Sequence, residues 1–250
     1  MKAIVKIFFV IIFFVIDKTN AQKINLSIVT TGYHGAVDIF DPCVNFNPDK
    51  FITVIPLAKN GTAAYTANLS KPGYINLFFN LPNFVAFQYT LFLTPGDELL
   101  FKVDFKNNVP TISVSGKGSN NNQPLILSMN NLDLTRFKDD KTPDRVIAAI
   151  NYQQARNEIN LKEYIKEYKP STAFVKYAQL NNAYFALNKY YGFYHSKYPP
   201  FENHPGHTKW QKIEDSLMAK TNINNDNALI AENYDNFIQN FIIHFIRIIP

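Results

Sequence analysis

An α+β fold, an antiparallel β-sandwich followed by an all-helical segment, is predicted by three features of the sequence. Up to Gly118, apolar residues alternate with polar ones in short runs at roughly ten-residue spacing, separated by Gly, Pro and Asn, as sandwich strands do. Beyond Gly118 the apolar period lengthens to between three and four, the repeat of amphipathic helices. The chain of 250 residues is 46% hydrophobic and 15% aromatic, a composition that can bury one large core or two adjacent smaller ones.

Residues 1–21 stand apart from both segments. Lys2 and Lys6 precede an apolar run from Ile7 to Ile16, and Thr19-Asn20-Ala21 offers small residues for cleavage, so a secretory signal peptide cut after Ala21 is expected. An apolar run of about ten residues is short for a bilayer span, and no transmembrane segment is expected after cleavage. Loss of Lys2, Lys6, Lys18 and Asp17 lowers the formal charge from +5 to +3, which gives no basis for nucleic-acid binding. The single cysteine, Cys43 in Asp41-Pro42-Cys43, would then enter an oxidising compartment without an intramolecular partner; a buried bystander, and an intermolecular disulfide or redox role, are open readings.

The sandwich is expected over 22–118. Ile24, Leu26 and Ile28 alternate with Asn25 and Ser27 in a first strand ending at Gly32, and a weaker segment holds Val37, Ile39 and Phe40. Runs from Phe51 to Leu57 and Ala63 to Leu69 flank Asn60-Gly61, a strong hairpin signal. Ser70-Lys71-Pro72-Gly73 turns into Tyr74–Phe79, and Leu81-Pro82-Asn83 turns into the stretch Phe84–Leu93. Thr94-Pro95-Gly96-Asp97 has Pro where a type II turn needs its fixed φ and Gly where φ is positive. Leu99, Phe101, Val103 and Phe105 then alternate with polar residues, and Asn107-Asn108 reverses the chain into Thr111–Ser115. Gly116-Lys117-Gly118 ends the sheet and lacks the remainder of a phosphate-binding loop.

The helical segment is expected over 119–250. Asn120 to Asn122 offer helix N-caps, with Pro124 in a first turn and Leu125, Ile126 and Met129 on a short apolar face. Thr142-Pro143 opens a helix to about Tyr168 with Val146, Ile150, Leu161, Ile165 and Tyr168 on one stripe; Pro170 stops it and Ser171 caps the next. That next helix carries Phe174, Tyr177, Ala178, Tyr184, Phe185 and Tyr191. A further helix covers Thr208 to Ala219, and a last one begins near Asp226 with Ile230, Tyr234, Phe237, Ile238, Phe241 and Phe245 on one face. From Phe241 to Pro250 this helix is apolar on nearly every side and calls for cover, by a further domain, a partner subunit or the rest of the chain. Self-association through this helix and a separate protein partner are both open.

Candidate chemistry is sparse. His195, His204 and His207 with Glu202 could supply metal ligands, but they fall in an expected loop rather than at ligand spacing on firm elements. Tyr177, Tyr184 and Tyr191, seven apart, could stack a sugar or base, though a helix-packing seam is the commoner use of such a stripe. Glu158, Glu163 and Glu167 among Arg156, Lys162 and Lys166 read as a solvated helix face. No nucleophile elbow and no Cys-x-x-Cys occur. No catalytic, cofactor-binding or metal-ligating residue is therefore assigned, and no cofactor is expected.

A signal peptide, short strands, a K-P-G turn, F-L-T-P-G-D-E-L, and S-G-K-G-S-N-N-N entering a helix together resemble the N-terminal half of TlpA-like thiol-disulfide oxidoreductases of the Bacteroidetes cell envelope. The stretch A-L-I-A-E-N-Y-D-N-F-I-Q-N-F-I is similar to that family's last linker helix. The resemblance implies a periplasmic or cell-envelope location, and a sandwich and helical segment preceding a thioredoxin-fold domain with the reactive Cys-x-x-Cys. Pro250 falls where that domain would begin, so the resemblance carries no catalytic residue onto this chain. It implies a non-catalytic accessory protein; the alternatives are the front half of an active disulfide reductase and a sugar- or peptide-binding module.

Overall fold

The computed structural model describes residues 21–41, 52–81, 86–107, 109–124, 132–197 and 207–246. The leader, Cys43, Glu202, His204 and the Leu125, Ile126 and Met129 face lie outside the described residues.

Among the described residues, eight strands precede five helices. The strands are β1 (Gln22–Thr31), β2 (Ala36–Phe40), β3 (Ile52–Pro56), β4 (Thr62–Leu69), β5 (Gly73–Asn80), β6 (Ala86–Leu93), β7 (Glu98–Asp104) and β8 (Thr111–Lys117). They form two four-stranded sheets, ordered β4-β1-β7-β8 and β3-β2-β5-β6. Inward-facing Ile24, Leu26 and Ile28 of β1, Leu99, Phe101 and Val103 of β7, and Ile75, Leu77 and Phe79 of β5 fill the space between them. The expected sandwich is present, with one departure from antiparallel pairing: β1 and β7 run parallel, Leu26 opposite Leu99 and Ile28 opposite Phe101.

Asn60-Gly61 does not close a hairpin. The local turn forms, with the Gly61 N–H donating to the Ala58 carbonyl at 2.8 Å and Gly61 at φ +77°. Its flanking strands nevertheless part company, β3 pairing with β2 and β4 with β1. The Gly61 carbonyl accepts from the Thr30 N–H at 2.8 Å, so the turn is pinned to the end of β1. A Cβ there would stand 2.5 Å from the Thr30 carbonyl oxygen. The Thr94–Asp97 turn also passes from one sheet to the other, joining β6 to β7, with Gly96 at φ +83°.

The helices are α1 (Asp144–Tyr168), α2 (Thr172–Ala183), α3 (Phe185–Lys197), α4 (His207–Lys220) and α5 (Glu232–Ile246). Ser171 caps α2 as expected, its Oγ accepting the Phe174 N–H at 3.2 Å. One helix was expected across Phe174 to Tyr191; the chain instead divides at Tyr184 into α2 and α3. The last helix is preceded by a 3-10 turn at Asp226–Ile230, so α5 starts later than the Asp226 the sequence suggests. Helix α3 is buried on nearly every side, with Phe185, Leu187, Tyr190, Tyr191 and Tyr194 all in the interior, which makes it the central helix of the segment. Buried asparagines tie it to its neighbours. Asn188 Nδ2 donates to Asn233 Oδ1 at 2.9 Å, and the Asn233 N–H donates to Asn181 Oδ1 at 2.7 Å.

The helices lean on the outer face of the second sheet. Tyr74 of β5 and Phe92 of β6 point away from the sandwich core and join Leu161, Tyr164, Phe174 and Tyr177 in a separate apolar cluster. Coverage on both faces explains why β5 is buried along most of its length instead of alternating.

The segment Ser119–Gln123 links the two layers. Asn122, fully enclosed, lies against the free edge of β6: its Oδ1 accepts the Phe92 N–H at 2.7 Å and its Nδ2 donates to the Phe92 carbonyl at 2.8 Å. One side chain thus stands in for a neighbouring strand. Asn121 Oδ1 accepts the Ser171 N–H at 2.9 Å, and the Tyr164 hydroxyl donates to the Asn120 carbonyl at 2.8 Å. These asparagines were expected to cap a helix that they themselves open; they clasp a sheet edge and the start of α2 instead.

Candidate functional site

Among the described residues, the candidate histidines and tyrosines are absorbed into the framework. His195 Nε2 lies 3.0 Å from Glu214 Oε1, tying α3 to α4, with the ring against Tyr191 at 4.1 Å. His207 Nδ1 lies 2.8 Å from the Tyr194 hydroxyl. No group of three or more metal-ligating side chains occurs among the described residues. His195 and His207 are thus held by separate internal contacts.

The tyrosine stripe is dispersed as well. Tyr177, Tyr184 and Tyr191 are all buried and belong to different clusters: Tyr177 meets Phe92 at 4.9 Å, Tyr184 meets Tyr234 at 4.8 Å, and Tyr191 meets Phe237 at 5.3 Å. Their burial removes the stacking surface on which a sugar- or peptide-binding reading would rest. Packing is what these rings do. The face carrying Glu158, Glu163 and Lys162 is exposed, as its charge pattern implies.

A cleft of about 810 Å³ opens elsewhere, between the segment 132–139, α3 and α5. That volume suits a small organic ligand. Helix α3 supplies one wall through Asn188, Lys189, Gly192, Phe193, Ser196 and Lys197, which recur every three to four positions and so share one side of the helix. Helix α5 adds Asn236 and Asn240, one turn apart, and the segment 132–139 contributes Asp133, Thr135, Lys138 and Asp139.

The cleft's groups differ in how far they are already engaged. Lys197 Nζ donates to the Asp140 carbonyl and lies 5.0 Å from the Trp210 ring centroid. Asp133 Oδ1 accepts from the Thr135 hydroxyl at 2.6 Å and from its N–H at 2.8 Å. Asn188 is committed to Asn233. Lys189 is different: its half-buried ammonium sits 5.8 Å from the Phe185 ring centroid, and it makes no hydrogen bond or ion pair with a described residue. Burial lowers its pKa, opposed by the Glu232 carboxylate nearby. Gly192 gives the cleft a bare stretch of helix wall, for a Cβ there would meet nothing closer than Asn240 Nδ2 at 4.0 Å.

Behind the cleft, α5 turns two carboxylates toward the second sheet. The Tyr74 hydroxyl donates to Asp235 Oδ2 at 3.1 Å, and Thr90 Oγ1 lies 3.5 Å from Glu232 Oε2. Burial raises the pKa of both acids; Lys189 and Thr90 counteract this at Glu232, Tyr74 and Gln239 at Asp235. No sequence pattern marks this cluster, because its members are scattered over β5, β6, α3 and α5.

No protein-family model matches the sequence, and no curated protein matches it. One solved structure, a candidate cell adhesion protein from Bacteroides fragilis, is similar at 13% identity and a TM-score of 0.25. The match covers 39% of this chain and 45% of that one, less than half of either.

Proposed function

We propose that this chain is a non-catalytic, exported cell-envelope protein that acts by binding, with the cleft between α3 and α5 as its binding site. The observation that carries this reading is the cleft itself: a ligand-sized opening whose walls are joined by buried amide pairs and whose lining offers the Lys138 and Lys189 ammoniums, the Asp139 carboxylate and the Asn236 and Asn240 amides. Of the candidate metal-ligating histidines, His195 and His207 are held in internal contacts with Glu214 and Tyr194. The resemblance to the front region of TlpA-like oxidoreductases agrees with an accessory role in the envelope.

A competing reading, that Cys43 gives these residues a redox role of their own, is tested by insulin-reduction turbidity with residues 22–250 and with Cys43→Ser. The expected result is that both precipitate insulin no faster than dithiothreitol alone. A Cys43-dependent acceleration would overturn the non-catalytic reading.

A further inference from the structure

The cleft's chemistry narrows the class of ligand, on the assumption that it is the binding site just described. A partly desolvated ammonium is costly unless an opposite charge or acceptor meets it. Lys189 feels the charge of the buried Glu232 carboxylate but makes no hydrogen bond or ion pair with a described residue, while Lys197 donates to the Asp140 carbonyl and Asp133 accepts from Thr135. Asn236 and Asn240 bring amide N–H donors from the facing helix, and Asn188, locked to Asn233, holds the base of the Lys189 turn in place. The bare wall at Gly192 leaves room for the body of a ligand beside that ammonium, flanked by the Phe193 ring.

We propose that the cleft binds a small oxyanion-bearing molecule, a carboxylate or a phosphate ester, whose anionic group pairs with Lys189 and accepts hydrogen bonds from the Asn236 and Asn240 amides. An ammonium with two neutral amide donors matches the several lone pairs of an oxyanion better than it matches a neutral sugar. The acidic rim at Asp133 and Asp139 disfavours ligands carrying several separated negative charges, so the recognised anion is compact. Burial of the Lys189 ammonium strengthens the pairing, since attraction between charges grows as solvent is excluded.

The test is calorimetric titration and thermal shift of residues 22–250 with inorganic phosphate, lactate and glucose 6-phosphate at constant ionic strength. At least one probe is expected to bind saturably at or below millimolar concentration. Lactate preferred to the phosphates would identify a carboxylate ligand, and the reverse a phosphate. Lys189→Gln is expected to weaken that probe at least about tenfold, the scale of one lost charge-assisted hydrogen bond. Generic salting effects would move wild type and Lys189→Gln together. Gly192→Leu, which keeps a good helix former in α3 and projects into the cleft, is expected to abolish binding without lowering thermal stability. Absence of saturable binding by all three probes, or equal binding by wild type and Lys189→Gln, would overturn the proposal. Neither result bears on Cys43, so failure here is distinguishable from the appearance of reductase activity.

Discussion

Replacing Asn122 by Ala tests whether sandwich and helices form one cooperative unit. The Asn122 amide satisfies both the N–H and the carbonyl of Phe92, at 2.7 and 2.8 Å, on an edge of β6 that is enclosed. Alanine keeps the backbone but leaves both groups without partners, and the space is too small to rehydrate freely. At about 1–3 kcal/mol for each orphaned buried group, the loss is about 4 kcal/mol. For a chain of this size each kcal/mol lowers Tm by about 2–4 °C, so the midpoint should fall by about 8–16 °C. Trp210 is the single tryptophan and lies in α4, so its fluorescence follows the helical segment, while far-UV circular dichroism also follows the strands. The two probes should move together. A fall of less than about 2 °C would refute the strand-surrogate role of Asn122. A shift in one probe alone would refute the coupling of the two layers.

Three further outcomes follow from the same geometry. Gly192→Ala should stabilise α3 by about 0.5–1 kcal/mol, because the added Cβ meets nothing closer than 4.0 Å and the unfolded chain loses freedom; a lower urea midpoint would contradict the open wall. Trp210→Ala should cost about 3–5 kcal/mol in urea unfolding, since the ring is wholly buried and stacks on Tyr194 at 6.0 Å and 5°; a loss under about 1 kcal/mol would mean the site collapses or is not packed. Glu232 has an ordinary pKa of 4.5 and a higher one when folded, so between the two values the folded state keeps a proton that the unfolded state has released. Its contribution is full below the ordinary value and is lost as pH rises through the folded one, and Asp235 adds to this with the same sign. Glu232→Gln should therefore flatten the decline in stability across this window; a pH profile parallel to wild type would exclude Glu232 as a source.

Period and punctuation made most of the architecture legible. Alternation along β1 and β7, the Pro170 stop and the Ser171 cap appear in the structure where the residues placed them. Pairing was less legible, because the turn at Asn60-Gly61 is a local event whereas its flanking strands choose partners through packing: β4 sets Ala63, Tyr65 and Ala67 beside β1. The parallel β1–β7 pair joins segments far apart in the chain and leaves no local mark. Asn122 was invisible for a related reason, since an amide that completes a sheet edge looks in sequence like an amide that caps a helix. The cleft was missed because Lys189, Gly192 and Asn240 become neighbours only when α3 and α5 pack; the stretch from Tyr184 to Tyr191 drew attention to its rings. A glycine within the helical run around Tyr191 was the one available hint, for Gly in a helix interior costs about 1 kcal/mol relative to Ala and asks for a reason.

The most direct test of the binding-module account is amide chemical-shift mapping of isotope-labelled residues 22–250 during titration with the tightest of the three oxyanion probes. The account predicts saturable changes confined to 132–139, 188–197 and 236–240, the three walls of the cleft, with the strands unaffected. Changes centred on the sandwich loops, or spread evenly over the lysines of the surface, would contradict it.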